Sequence, residues 1–218
     1  FAQIVIGLVA DNGFNLLTAF EWNALADLKG RKIAGAGLNL KWLEFVGSIP
    51  VQTSAPEVYS ALQTGVFQGV LIPANFAVTL KWYEVAKTYS LTEQGAITWQ
   101  GMTINKARFA KLPKDVQDII LEVGRKFETR MADINEADYP KQLDQMRNLG
   151  VNVKSVAADV KAEWARSLAG WPQEKANELD AKGLPASQVL RLAIDEAERL
   201  GHKWPVRYAI KAPPSPAG

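Results

Sequence analysis

Covalent and metal chemistry have little to work with in this sequence. Cysteine is absent and His202 is the only histidine. That removes thiol nucleophiles, zinc–thiolate and iron–sulfur sites, His-rich metal centres and HExxH zincins, and leaves a Ser-His-Asp triad only with His202 as its base. The carboxylate pairs Asp11 with Glu21 and Glu57 with Glu84 lack a base or metal ligand at a recognisable spacing, so solvated surface is their default reading. Gly35-Ala36-Gly37 resembles the start of a dinucleotide loop, in which glycines let the backbone approach a pyrophosphate at a helix N-terminus. The third glycine position is Leu40, and a plain strand-to-helix turn is favoured. Binding chemistry remains. Trp42 and Trp99 are placed where an aromatic wall could stack on a small molecule, whereas Trp164 and Trp171, on helical stretches, read as packing.

The elements that must position such residues alternate. Gln3 to Val9 is an apolar, β-branched run that reads as a strand buried on both faces, followed by the turn Asp11-Asn12-Gly13. A chain that begins so near a buried strand is expected to be a fragment. Lys32 to Ala36 reads as a strand, with Asn39 as N-cap of a helix through Val46; a strand at Ile49 to Gln52 follows. Ser54, Pro56 and Glu57 open a helix that Gly65 closes; Gln68 to Ile72 is a strand, and Pro73 with Asn75 begins a short helix. The alternation predicts parallel strands joined by right-handed crossovers, with a ligand at their carboxyl ends. Ala96 to Asn105 reads as a long strand. Pro113 opens a helix with Val116, Ile119, Ile120, Val123, Phe127, Met131 and Ile134 on one stripe, which Pro140 should kink or end. A further helix should end at Gly150, before a strand at 151–154, and helices at 157–168 and 186–200 follow.

On this layout Asn12 and Asn15 follow the first strand, Asn39 follows Gly37, and Asn75 follows the third strand. All four are expected at one carboxyl-end crevice, with Phe14, Trp42, Phe76 and Trp99 as apolar walls. Amides offer both donors and acceptors, which suits a neutral or singly charged ligand bearing hydroxyl or carbonyl groups.

From Asp27-Leu28-Lys29-Gly30-Arg31-Lys32-Ile33 onward the sequence resembles the substrate-binding proteins of tripartite ATP-independent periplasmic (TRAP) transporters, the DctP-like family. The likeness continues through residues 57–66 (EVYSALQTGV), residues 83–87 (YEVAK), Asn105-Lys106, residues 111–117 (KLPKDVQ) and Gly183-Leu184-Pro185. It implies a two-lobed α/β protein of the periplasmic binding type, with parallel-rich sheets and a long helix crossing both lobes. This chain would correspond to the later two thirds of a family member, without the signal peptide and the N-terminal part of the first lobe. The implied division is an inter-lobe strand at 1–10, a ligand-binding lobe at 11–95, a strand and long helix at 96–140, and C-terminal helices at 141–218. The implied function is periplasmic capture of a small organic acid and its delivery to membrane permease subunits. No nucleophile with its base, metal-ligand cluster or apolar run of membrane length is seen in the sequence, so no cofactor, metal, catalysis or membrane insertion is expected. An arginine clamp on the ligand carboxylate is usual in the family. Here its positions hold Ala34 and Asn15, the family's Asp-Gly is Gln68-Gly69, and its Asn-Pro is Ile72-Pro73.

The charge balance agrees. Lys and Arg total 25 against 23 for Asp and Glu, 48% of residues are hydrophobic and 22% charged, so a disordered chain and a basic nucleic-acid footprint are both excluded. A ligand-free scaffold and an enzyme using the same cleft are the alternative readings.

Overall fold

The computed structural model describes residues 2–10, 13–94 and 99–212. Along the chain run β1 (Gln3–Ala10), β2 (Asn15–Thr18), β3 (Lys32–Gly35), α1 (Asn39–Phe45), β4 (Ile49–Gln52), α2 (Val58–Gln63), β5 (Gly69–Ile72) and α3 (Ala74–Thr79). Then come β6 (Thr88–Leu91), β7 (Trp99–Asn105), α4 (Lys106–Phe109), α5 (Lys114–Asn148), β8 (Asn152–Ser155), α6 (Ala158–Ser167), α7 (Trp171–Asp180) and α8 (Ala186–Arg199). Two compact units emerge: Phe1–Glu21, Arg31–Leu40 and Pro50–Ser155 form the first, and Trp22–Gly30, Lys41–Ile49 and Val156–Gly218 the second.

In the first unit six strands make one sheet in the order β4-β3-β5-β2-β6-β8. β3 pairs with β5 and β6 with β8 in parallel, while β2 lies antiparallel to both β5 and β6. The sheet is therefore mixed: β3, β5, β6 and β8 point one way and β2 is reversed between them. Ser54 N–H donates to Glu57 Oε2 at 3.2 Å, Pro56 follows, and a single 3-10 turn leads into α2. Gly65, at φ +74°, takes the left-handed conformation that ends such a helix. One face of the sheet packs Leu17, Ala34, Val70 and Tyr89 against Val58 and Leu62 of α2, Ala74 and Ala77 of α3, and Leu143 and Met146 of α5.

The first unit also holds a two-stranded antiparallel ribbon, β1 with β7. The expectation that β1 is buried on both faces is corrected: Val5 is 49% and Leu8 42% exposed. A two-stranded ribbon packed against the single helix α5 can cover only one face. The ribbon docks through a bulge at Ile6, where the register slips between Val5 and Gly7. A Cβ at position 124 of α5 would lie 1.6 Å from the Ile6 carbonyl oxygen, so only glycine permits that approach. Leu8 N–H donates to Glu128 Oε1 at 2.8 Å beside it.

Nor does α5 end at Pro140. It is one helix of 35 residues. Proline there removes one backbone donor and crowds the preceding turn at a cost of about 3 kcal/mol. Packing of Gly124 on β1 and burial of Leu143 and Met146 against the sheet hold the helix on both sides of it.

The second unit is helical. Trp22 and Trp164 are both buried and meet edge to face at 6.3 Å, and Trp164 Nε1 donates to the Trp42 carbonyl at 3.0 Å. Trp171 packs on Phe45 at 6.5 Å, so Trp164 and Trp171 have the packing roles read from sequence. Asp180, at the end of α7, accepts from Ser187 N–H at 3.1 Å and from Ser187 Oγ, tying down the start of α8.

Candidate functional site

Strand directions bring four segments of the first unit to one edge. With β3, β5 and β6 parallel and β2 reversed, the residues after Gly35, Ile72 and Leu91 emerge beside the start of β2, where Asn15 pairs with Ile72. Phe14, Asn15, Gly37, Asn39, Asn75 and Phe76 all lie in these segments or just beyond them.

Asn15 is fully buried and uses both ends of its amide within the fold. Nδ2 donates to Gly13 O at 3.2 Å and to Tyr139 Oη at 3.0 Å, while Oδ1 accepts Glu93 N–H at 3.0 Å. Glu93 is one of two non-glycine residues with positive φ among the described residues, at +52°. The Asn15 acceptor thus holds a strained backbone. Thr92 Oγ1 donates to Phe14 O at 3.3 Å, a second tie on the same segment. Burial raises the Tyr139 and Tyr89 hydroxyls above the ordinary tyrosine range, so both stay neutral hydrogen-bonding groups.

Asn39 differs from its expected role. It is the first residue of α1, its N–H donates to Ala36 O at 3.2 Å, and its Oδ1 has no hydrogen-bond partner among the described residues. It therefore does not cap the helix. Only 2% of Asn39 is exposed. Gly37, at φ +58°, turns the chain into α1 and donates its N–H to Gln52 Oε1 at 3.3 Å. The Asn75 Oδ1 accepts the N–H of Phe76 at 3.0 Å, and the half-buried Phe76 ring leans on Trp82 at 6.4 Å.

Two expected residues belong to other parts of the chain than the six-stranded sheet. Trp42 belongs to the second unit, where its carbonyl serves Trp164. Trp99 opens β7 opposite Ala10, in the ribbon and not in the six-stranded sheet. Asn12 lies outside the described residues. Ala34 is completely buried in the apolar cluster. Sequence reading missed Thr92, Glu93, Gln94 and Tyr139. The Gln94 Oε1 is buried without a hydrogen-bond partner among the described residues.

Among the described residues no group of three or more His, Asp or Glu could hold a metal ion, and no helix is long and apolar enough to cross a membrane.

A mixed α/β sheet backed by a 35-residue helix, with amide-bearing turns at the carboxyl edge, defines a binding fold of the kind found in periplasmic solute receptors. The chain belongs to the bacterial extracellular solute-binding proteins, family 7 (DctP), whose family pattern matches residues 3–177. It is 29% identical over 148 residues to a solute-binding protein of Sulfitobacter sp., covering 67% of this chain and 44% of that one. It is 27% identical over 175 residues to the 2,3-diketo-L-gulonate-binding periplasmic protein of Escherichia coli, covering 79% and 51%. A TRAP periplasmic solute binding protein from Desulfovibrio salexigens, solved with bound orotic acid, shares the fold with a TM-score of 0.78 at 22% identity, covering 91% of this chain and 64% of that one. The chain spans about half the length of the curated relatives it matches. The names of these relatives are those of solute-binding proteins.

Proposed function

We propose that this protein is the extracytoplasmic solute receptor of a TRAP-type transporter: it binds a small organic acid and passes it, unchanged, to membrane permease subunits. The observation that carries this reading is the family match over residues 3–177. The position of Phe14, Asn39, Asn75 and Phe76 at the carboxyl edge of the sheet supports it, since ligands of open α/β sheets bind there. Family members work outside the cytoplasm, and a periplasmic location follows from the reading.

The recognition differs from a carboxylate clamp. Ala34 is sealed in the core, and Asn15 holds Tyr139 and Glu93. Residues 13–16, 35–39, 72–76 and 91–94 contain neither Lys nor Arg. In this reading Asn15 is a positioning residue, while Asn39 and Asn75, with the wall of Phe76, are the direct contacts.

A melting screen over 2,3-diketo-L-gulonate, C4-dicarboxylates, keto acids, sugar acids and aromatic acids tests the proposal. A true ligand at about a hundred times its dissociation constant stabilises the native state by roughly 2.7 kcal/mol. No shift with any class would favour a ligand-free scaffold on the same fold, and recovery of chemically altered ligand would favour an enzyme.

A further inference from the structure

Two acceptors at the carboxyl edge of the first unit are buried and have no hydrogen-bond partner among the described residues. The Oδ1 of Asn39 follows β3 and the Oε1 of Gln94 follows β6. A buried carbonyl oxygen left without a donor is costly, and native structures keep few of them. The backbone leading to Gln94 is not loose. Thr92 N–H donates to Ser90 O at 2.9 Å, Thr92 Oγ1 reaches Phe14 O, and Asn15 Oδ1 grips Glu93 N–H. The fold thus fixes the approach to an acceptor that no described residue satisfies.

Both groups call for the same chemistry, a donor hydrogen. No Lys or Arg stands in the edge segments named above to meet a carboxylate. On the basis of the receptor reading, we infer that Asn39 and Gln94 select a hydroxyl-rich organic acid by accepting hydrogen bonds from its hydroxyl groups, and that Gln94 is a specificity-determining contact. In the strand order, β5 and β2 separate β3 from β6, so the two acceptors follow different strands and in this reading address different hydroxyl groups of the ligand.

Three probes separate the sources of a donor: D-gluconate carries hydroxyls, L-glutamate an ammonium, and succinate neither. Titration of the protein by tryptophan fluorescence is expected to show D-gluconate bound about tenfold or more tightly than succinate. Gln94→Met and Asn39→Leu should each weaken D-gluconate binding about fivefold to tenfold while leaving succinate within about twofold. If the two acceptors meet different hydroxyl groups, the double variant should show about the product of the two losses. Gln94→Met should leave the melting temperature of the ligand-free protein unchanged or raised, because an unsatisfied acceptor has been removed. If Gln94 instead binds a structural water, the same variant lowers the melting temperature and spares the D-gluconate preference, and the inference fails. Equal or tighter binding of succinate, or a preference for L-glutamate, also overturns it while leaving the receptor reading intact. Binding of none of these probes, together with a flat melting screen, brings down both.

Discussion

The two edges of the six-stranded sheet treat polar groups in opposite ways. Where β6 and β8 begin, Glu21 accepts from Thr88 Oγ1 at 2.7 Å, Asn152 Nδ2 at 3.0 Å and Lys154 Nζ at 3.0 Å. Those bonds hold its carboxyl at about 2, well below the usual carboxylate range, with the Thr88 bond the largest cause. Where β3, β5 and β6 end, Asn15 is satisfied, but Asn39 and Gln94 keep acceptors without a partner among the described residues. An edge with its charges and amides matched reads as a structural joint, whereas buried polar atoms left unmatched call for a partner, which the proposed receptor reading supplies as a ligand.

The largest effect should come from putting charge into the carboxyl-edge core. Ala34→Arg would press a guanidinium into the cluster of Leu17, Val58, Leu62 and Val70, and loss of about 3–5 kcal/mol in urea unfolding is expected. It should not tighten binding of a simple carboxylate. A tenfold gain in a carboxylate titration would mean that the clamp geometry persists and that Ala34 is not sealed.

Next is Asn15→Leu, which leaves the Glu93 N–H and the Tyr139 hydroxyl without their partner. A loss of about 2–3 kcal/mol is expected, accompanied by faster amide exchange at Glu93. Unchanged exchange there would show that Asn15 does not hold the segment and that the comparison of edges overstates its role.

The smallest effect belongs to the satisfied edge. Glu21 has a folded-state value depressed from 4.5 to about 2, so its contribution is complete above pH 4.5 and fades as pH falls from 4.5 towards 2. Because the side chain is 58% exposed, the whole contribution is about 0.5–1 kcal/mol after solvent screening. Comparing Glu21→Gln with the parent protein at pH 6 and pH 2.5 should show that difference at pH 6 and its near disappearance at pH 2.5. A constant difference would assign the effect to packing.

Much of this was legible in the sequence, and the failures have physical causes. Ser54, Pro56, Glu57 and Gly65 bound their helical segment as their chemistry dictates, because capping is local. β2 and β6 escaped notice; NLLT in particular shows no apolar–polar alternation that would declare a strand. Missing them hid the reversal of β2, and with it the meeting of Asn15 with Glu93. Tyr139 is separated from Asn15 by 124 positions, and nothing local in the sequence announces such a contact. Pro140 failed as a stop signal because tertiary packing on both sides of it outweighs a local penalty. The apolar run of β1 was read as doubly buried because composition records what a strand could bury and not how many neighbours cover it.

The most direct test of the receptor account is native mass spectrometry of gently purified protein, before and after incubation with the acid that gives the largest melting shift. The account predicts one small acid bound per chain, released on unfolding with its mass unchanged and with hydroxyl groups in its composition. A protein that stays bare at saturating acid, or that releases a chemically altered molecule, would contradict it.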